Sequence, residues 1–253
     1  MKQKVVAFVN QKGGVGKTTS AINIAAQLAG DYKVLLIDLD PQGNTTSGLG
    51  VVNDHKFTTY DILCKKVEAS KAIVDTHVAQ LSVLPANSGL AGAEVELVGQ
   101  ERREFVLSKA IEGLTYDYIL IDCPPSLGLL TINALTAATD IIIPVQAEYY
   151  ALEGLSQLLN TVQAVKSTTN PDLELMGIAV TMFDKRNSLS DQVYKELENY
   201  FGDKLFKTVI PRNVRLAEAP SYGKTIYEHD RWSKGARSYK ALTKEVTDRL
   251  KTT

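Results

Sequence analysis

The stretch Asn10-Gln11-Lys12-Gly13-Gly14-Val15-Gly16-Lys17-Thr18-Thr19 follows an apolar run, Val5–Val9, and leads straight into a helical pattern. Glycines at 13, 14 and 16 let successive backbone N–H groups curl inward, and the start of the following helix adds the positive end of its dipole. Such a turn cradles phosphate oxygens. Lys17 at its end would neutralise the β- and γ-phosphates of a nucleoside triphosphate, and the Thr18 hydroxyl would ligate Mg²⁺. Gly13, Gly14, Val15, Gly16, Lys17, Thr18 and Thr19 are therefore the expected nucleotide contacts. The usual pattern G-x-x-x-x-G-K-[ST] has glycine where this chain has Gln11, and a second lysine, Lys12, follows.

Carboxylates stand at the ends of two further apolar runs. In Leu36-Ile37-Asp38-Leu39-Asp40-Pro41-Gln42, alternation along a strand turns Asp38 and Asp40 the same way, toward the phosphate-binding turn. A carboxylate there can hold Mg²⁺ through water or orient the water that attacks a γ-phosphate. Tyr118–Ile121 ends in Asp122-Cys123-Pro124-Pro125, which brings a third carboxylate to the magnesium shell beside Thr18. Further on, the Asn213 amide of Pro211-Arg212-Asn213 can donate to and accept from an adenine edge. Pro211 can wall the ring.

These residues need a scaffold, and the intervening pattern supplies one. Short β-branched runs at Val5–Val9, Val34–Leu39, Leu81–Leu84, Tyr118–Ile121, Ile141–Val145, Gly177–Met182 and Phe206–Ile210 read as strands. Helical windows at Lys17–Ala29, Glu101–Leu114, Leu127–Ala138, Leu152–Lys166, Leu189–Phe201 and Gly235–Lys251 alternate with them. The expectation is one α/β domain over residues 1–253, a doubly wound, mostly parallel sheet flanked by helices. Ligands of such sheets lie beyond the carboxyl ends of the strands, where each motif above falls. Gly43–Gly50 reads as a mobile loop.

Among 253 residues, Lys plus Arg is 28 and Asp plus Glu is 29, a net charge of −1. A wholly basic nucleic-acid binder is excluded. The basic residues nevertheless concentrate: Lys204–Lys240 holds nine Lys or Arg and three acids, a local +6 against −7 over the rest. Phosphate contacts from such a strip give salt-sensitive, sequence-independent DNA binding. Apolar runs such as Ile141–Ile143 are far too short to span a membrane, and the opening run is too short for a signal peptide. Cys64 and Cys123 sit in unrelated contexts, which argues against a disulfide scaffold. A cytoplasmic protein is expected.

The stretch from Lys12 to Thr18 resembles the deviant Walker A motif, K-G-G-x-G-K-[ST], of the ParA/MinD/nitrogenase-iron-protein class of P-loop ATPases. In that class the extra lysine, here Lys12, reaches across a dimer interface to the partner's nucleotide. Asp38–Asn44 resembles the class's D-x-D-P-Q-x-N switch segment. The resemblance assigns the hydrolytic water to Asp40, an outer-shell magnesium role to Asp38 and the Walker B role to Asp122. Pro211–Gly223 resembles the P-R-N-x-x-x-x-E-A-P-S-x-G segment that closes over adenine in chromosomal, Soj-type ParA proteins, and Gln146–Gly154 matches their E-Y-Y-A-L-E-G stretch.

The resemblance runs from the first strand to about Gly223 and implies an Mg²⁺-dependent ATPase with Lys12, Lys17 and Asp40 as its catalytic set. ATP would close two copies into a sandwich homodimer that binds DNA non-specifically on the nucleoid. Hydrolysis, accelerated by a ParB-like centromere-binding protein, would part the copies and release the DNA. By position, Arg186 and Arg215 lead the DNA contacts, with Lys224 and Arg237 behind. Intrinsic turnover is expected to be slow, because no glutamine or arginine finger stands beside Asp40. Chromosomal and plasmid cargo both fit, and the short start before the first strand favours the compact chromosomal type.

Three other classes are weaker. A MinD-like, membrane-associated division regulator needs a broad apolar face on its last helix. Here Tyr239, Leu242, Val246 and Leu250 recur at helical spacing with Glu245 and Asp248 among them, which reads as docking onto the domain. An electron-transfer iron protein needs two cysteines per subunit at the dimer axis, and Cys64 lies in an unrelated helical stretch. A small-molecule ligase accounts for neither the basic strip nor the adenine segment.

Overall fold

The structure, a computed structural model, describes residues 3–52, 55–148 and 151–252. Strand β1 (Lys4–Phe8) feeds helix α1 (Lys17–Leu28), and β2 (Val34–Asp38) is followed by α2 (Asn44–Gly48) and α3 (Thr59–Lys65). Next come β3 (Val74–Asp75), β4 (Leu81–Leu84), α4 (Leu90–Leu97), α5 (Val106–Ile111), β5 (Tyr118–Asp122), α6 (Leu129–Ala137) and β6 (Asp140–Gln146). The chain closes with α7 (Ala151–Thr168), β7 (Glu174–Thr181), α8 (Ser188–Phe201), α9 (Val214–Glu218), α10 (Ile226–Asp230) and α11 (Lys234–Thr252).

The strands form one sheet in the order β3-β4-β2-β5-β1-β6-β7, parallel throughout except at the β3–β4 edge. Both faces are covered, and the strands show why they lack polar alternation. Val5, Ala7, Leu35, Ile37, Ile119 and Ile121 enter one core, while Val6, Phe8, Val34, Leu36, Tyr118 and Leu120 enter the other. Burying a continuous apolar run on two sides is the signature of a parallel sheet. The second core also takes Tyr239, Leu242, Val246 and Leu250 of α11 together with α1, so the apolar stripe of the last helix is spent on the domain. Register sets the site: Phe8 and Asp38 both lie opposite Asp122.

Three expectations are corrected. Phe206–Ile210 is not a strand. Phe206 N–H bonds Ile178 O at 2.9 Å and Ile210 N–H bonds Val180 O at 2.8 Å, but the N–H groups between them turn elsewhere. Lys207 N donates to Glu245 Oε2 at 2.9 Å and Thr208 N to Oε1 at 2.8 Å. One carboxylate on α11 thus takes the donors a ladder would use, and only isolated bridges remain at Leu205 and Pro211. Gly43–Gly50 is no mobile loop, because α2 occupies most of it. The window Glu101–Leu114 is broken: Arg102 has φ 54°, a tight turn covers Arg103–Phe105, and α5 is short.

Candidate active site

The turn after β1 owes its path to glycine at two points. Gly14 has φ 75°, and Gly16, which opens α1, has φ 86°, a region that L side chains enter only with strain. Neighbouring strands hold the turn in place. Asn10 Nδ2 donates to Pro144 O at 2.8 Å, Lys12 N donates to Asn10 Oδ1 at 2.9 Å, and Thr181 Oγ1 donates to Val15 O at 2.8 Å. Lys17 folds back so that its Nζ donates to Lys12 O at 3.2 Å. Its side chain is buried, and desolvation lowers its pKa while Asp122, Cys123 and Asp40 push the other way. Lys12 is half-exposed, with its ammonium paired to the Glu148 carboxylate.

Two carboxylates stand side by side beyond β2 and β5. Asp122 Oδ2 accepts from Thr18 Oγ1 and from Thr45 Oγ1, each at 2.7 Å. Asp38 Oδ2 accepts from Thr46 N at 2.9 Å and Thr46 Oγ1 at 2.7 Å, while its Oδ1 accepts from Asp40 N at 3.2 Å. Both acids are fully buried, and among the described residues neither forms an ion pair. Burial pushes both pKa values up, Asp38 to about 7, where the charge on Asp122 adds to the effect, and Asp122 to about 6. Asp122 Oδ1 is buried with no hydrogen-bond partner among the described residues. An orphaned carboxylate oxygen beside the Thr18 hydroxyl suits a hard divalent cation with oxygen ligands, so the donor set fits Mg²⁺.

This pairing sets a pH dependence. A carboxyl whose pKa is raised by folding keeps a proton between about pH 4 and its folded value that the unfolded chain releases. Mg²⁺ binds the ionised form and must displace that proton at pH 6 but not at pH 8. Titration of Mg²⁺ into the ADP-loaded protein is expected to show affinity rising with pH through 6 to 7, by up to about tenfold per unit for one displaced proton. Asp38→Asn should flatten the profile. Equal affinity at pH 6 and pH 8 would contradict the assignment.

On the other side of the phosphate-binding turn, a cleft of about 180 Å³ is lined by Gly16, Thr19, Thr181, Met182, Pro211 and Asn213, among others. Asn213 Oδ1 accepts from Arg215 N at 3.0 Å and caps α9, so its NH₂ group is what the amide can offer a purine. Met182 has φ 50°, which bends the chain at the cleft wall.

The structure divides the four candidate DNA residues. Arg186 and Arg237 line one groove of about 680 Å³ with Lys185, Arg212, Lys234 and the carboxylate of Asp184. Arg186 bonds Asp184 through Nε at 3.1 Å and Nη2 at 2.9 Å, which holds that carboxyl down at about 2. Arg215 and Lys224 do not line this groove. Arg215 pairs with Glu218 at 2.9 Å and lies 3.7 Å from Asp230.

Sequence reasoning missed Thr45, Thr46 and Glu148. Two hydroxyls following a carboxylate pair with no basic neighbour are the signal that could have found the threonines. It also missed a seam behind α2. A Cβ on Gly223 would lie 2.6 Å from Gly50 Cα, and one on Gly50 would lie 3.1 Å from Gly223 O. Both glycines have positive φ, 61° and 68°.

A phosphate-binding turn at the carboxyl end of β1, with buried acids and a threonine hydroxyl beside it, defines a P-loop ATPase. A family model described as an AAA domain matches residues 3–175. The chain is 56% identical over 247 residues to the sporulation initiation inhibitor protein Soj of Bacillus subtilis strain 168, covering 96% of this chain and 98% of that one. It is 51% identical to the chromosome-partitioning ATPase Soj of Treponema pallidum strain Nichols, over 97% and 98% of the two chains. A crystal structure of cobyrinic acid a,c-diamide synthase from Mycobacterium smegmatis with bound ATP analogue and magnesium is 38% identical, with TM-score 0.85 over 98% and 96% of the chains. The chain belongs to the Soj/ParA family of chromosome-partitioning ATPases. ATP is its substrate and Mg²⁺ its cofactor. Among the described residues, no helix is long and apolar enough to cross a membrane.

Proposed function

We propose that this ATPase is a nucleotide-gated DNA clamp that moves DNA in segregation. ATP occupies the turn between Gly13 and Thr19, with Lys17 on the β- and γ-phosphates and adenine between Pro211 and Asn213. Thr18 and Asp122, with Asp38 behind them, would hold Mg²⁺, whose charge would neutralise the phosphates. Lys12 leaves Glu148 and reaches the nucleotide of a second copy, so that the triphosphate joins two subunits. Asp40 then orients a water on the γ-phosphorus. The water oxygen bonds to the γ-phosphorus as the bond from phosphorus to the ADP oxygen breaks, its proton is given up, phosphate leaves and the copies part.

One observation supports the coupling to DNA: Pro211 and Arg212 line both the adenine cleft and the basic groove. Closing that segment on a base therefore moves a wall of the groove. Two grooves in one dimer grip a polyanion together, which multiplies weak contacts. DNA contact is to phosphate and without base readout. A ParB-like centromere-binding protein accelerates the hydrolysis step, and the protein works in the cytoplasm on the nucleoid, away from membrane.

The test is DNA binding with ADP, ATP and a non-hydrolysable analogue across a salt titration. Binding is expected with ATP and the analogue only. Arg186→Ala and Arg237→Ala should each weaken it for every sequence and flatten the salt slope by about one per contact removed. Equal binding in all nucleotide states would sink the coupling.

A further inference from the structure

We propose that Trp232 is a non-ionic contact to duplex DNA, an inference that rests on the DNA reading above. Trp232 is the chain's single tryptophan, and it is 76% exposed. It stands in the turn between α10 and α11, where the Arg231 guanidinium lies 5.1 Å from its ring centroid. Its backbone N–H donates to Asp230 Oδ1 at 3.1 Å, and the other oxygen of Asp230 lies 3.7 Å from Arg215 Nε. Two residues on, Lys234 lines the basic groove together with Arg237. The turn that carries the indole thus meets Arg215 through Asp230 on one side and runs into Lys234 of the basic groove on the other.

The turn is firmly built. Ser233 Oγ donates to Asp230 O at 2.8 Å and accepts from Ala236 N at 3.1 Å, so presenting the ring to a ligand costs little further backbone order. The surroundings choose the ligand. Arg231 lies over the ring, Lys234 and Arg237 follow on the next helix, and Asp230 is paired with Arg215 and bonded into the turn. An apolar protein face laid here would strip water from these cations without compensation. A phosphodiester duplex pairs with them and also offers sugar edges in the minor groove, against which an aromatic ring can pack. Tyr222, another exposed aromatic, is already stacked on His229.

Because the indole is unique, its own fluorescence reports on the contact. Titration of a mixed-sequence duplex into the analogue-loaded protein is expected to change tryptophan emission in step with anisotropy of labelled DNA. Trp232→Ala should weaken binding about tenfold, the scale for losing part of a buried aromatic contact, at every salt concentration and leave the slope of log K against log salt unaltered. Trp232→Phe should recover most of the affinity, and a circular-dichroism melt verifies that each variant folds. DNA bound with unmoved emission, or wild-type affinity in Trp232→Ala, overturns the contact and leaves the DNA reading standing. A flattened salt slope in Trp232→Ala overturns its non-ionic character, and tighter binding of a single-stranded oligonucleotide overturns the duplex as occupant. If native protein binds no DNA in any nucleotide state, the DNA reading falls and takes this contact with it.

Discussion

Asp40→Ala is expected to slow ATP hydrolysis by about 10²–10⁴-fold, the range for removing a group that positions or deprotonates the attacking water, while ATP and Mg²⁺ still bind. The geometry separates these effects. Asp40 is buried beside Lys17, but the Thr18 and Thr45 hydroxyls bond Asp122, and Thr46 bonds Asp38. Truncating Asp40 therefore leaves the metal-facing oxygens in place. It also removes the Asp40 Oδ1 that accepts from Gln42 N at 2.9 Å, so Asp40→Asn, which can keep that bond, is the companion variant. Phosphate release measures the loss, nucleotide retention on a filter measures binding, and DNA retention should lengthen as turnover stops. A wild-type rate in both variants would mean that the water is oriented by another group.

Lys12→Ala is expected to abolish ATP-dependent dimerisation and leave nucleotide binding to a single copy largely intact. Truncating one member of a desolvated charge pair between subunits typically costs about 2–5 kcal/mol. With two such lysines per dimer, the association constant should fall by at least about 10³-fold. The turn itself should survive, because its path is held by Asn10, Thr181 and Lys17. Lys12 contributes backbone groups there, which alanine retains. What is lost is the ammonium and its pairing with Glu148. Sedimentation with the non-hydrolysable analogue checks it: a variant that still forms the dimer would show that Lys12 stays with Glu148 rather than crossing to a partner.

Most of the candidate site was legible in the chain because its parts are local in sequence. The glycines, Lys17 and Thr18 fall within a few residues, and β2 and β5 announce themselves as apolar runs because both sheet faces are buried. What escaped depends on residues distant in sequence. Asn44–Gly48 is a poor helix former by composition, and it is helical because Thr45 and Thr46 reach two carboxylates on other strands. Phe206–Ile210 has every local mark of a strand, yet Glu245 outbids the sheet for its donors. Arg186 and Arg237 share a groove that no spacing pattern could reveal, whereas Arg215, prominent by position, lies outside it beside Glu218 and Asp230.

The bare backbone contact at Gly50 and Gly223 works as a gear tooth. Helix α2 is fastened by its hydroxyls to Asp122 and Asp38, and its trailing end meshes with the loop that carries Lys224. Close-packed atoms do not compress, so any advance of α2 toward that loop must be passed on rather than absorbed. The absence of two methyl groups is what lets the parts mesh, and a side chain at either position would prise the loop from the end of α2.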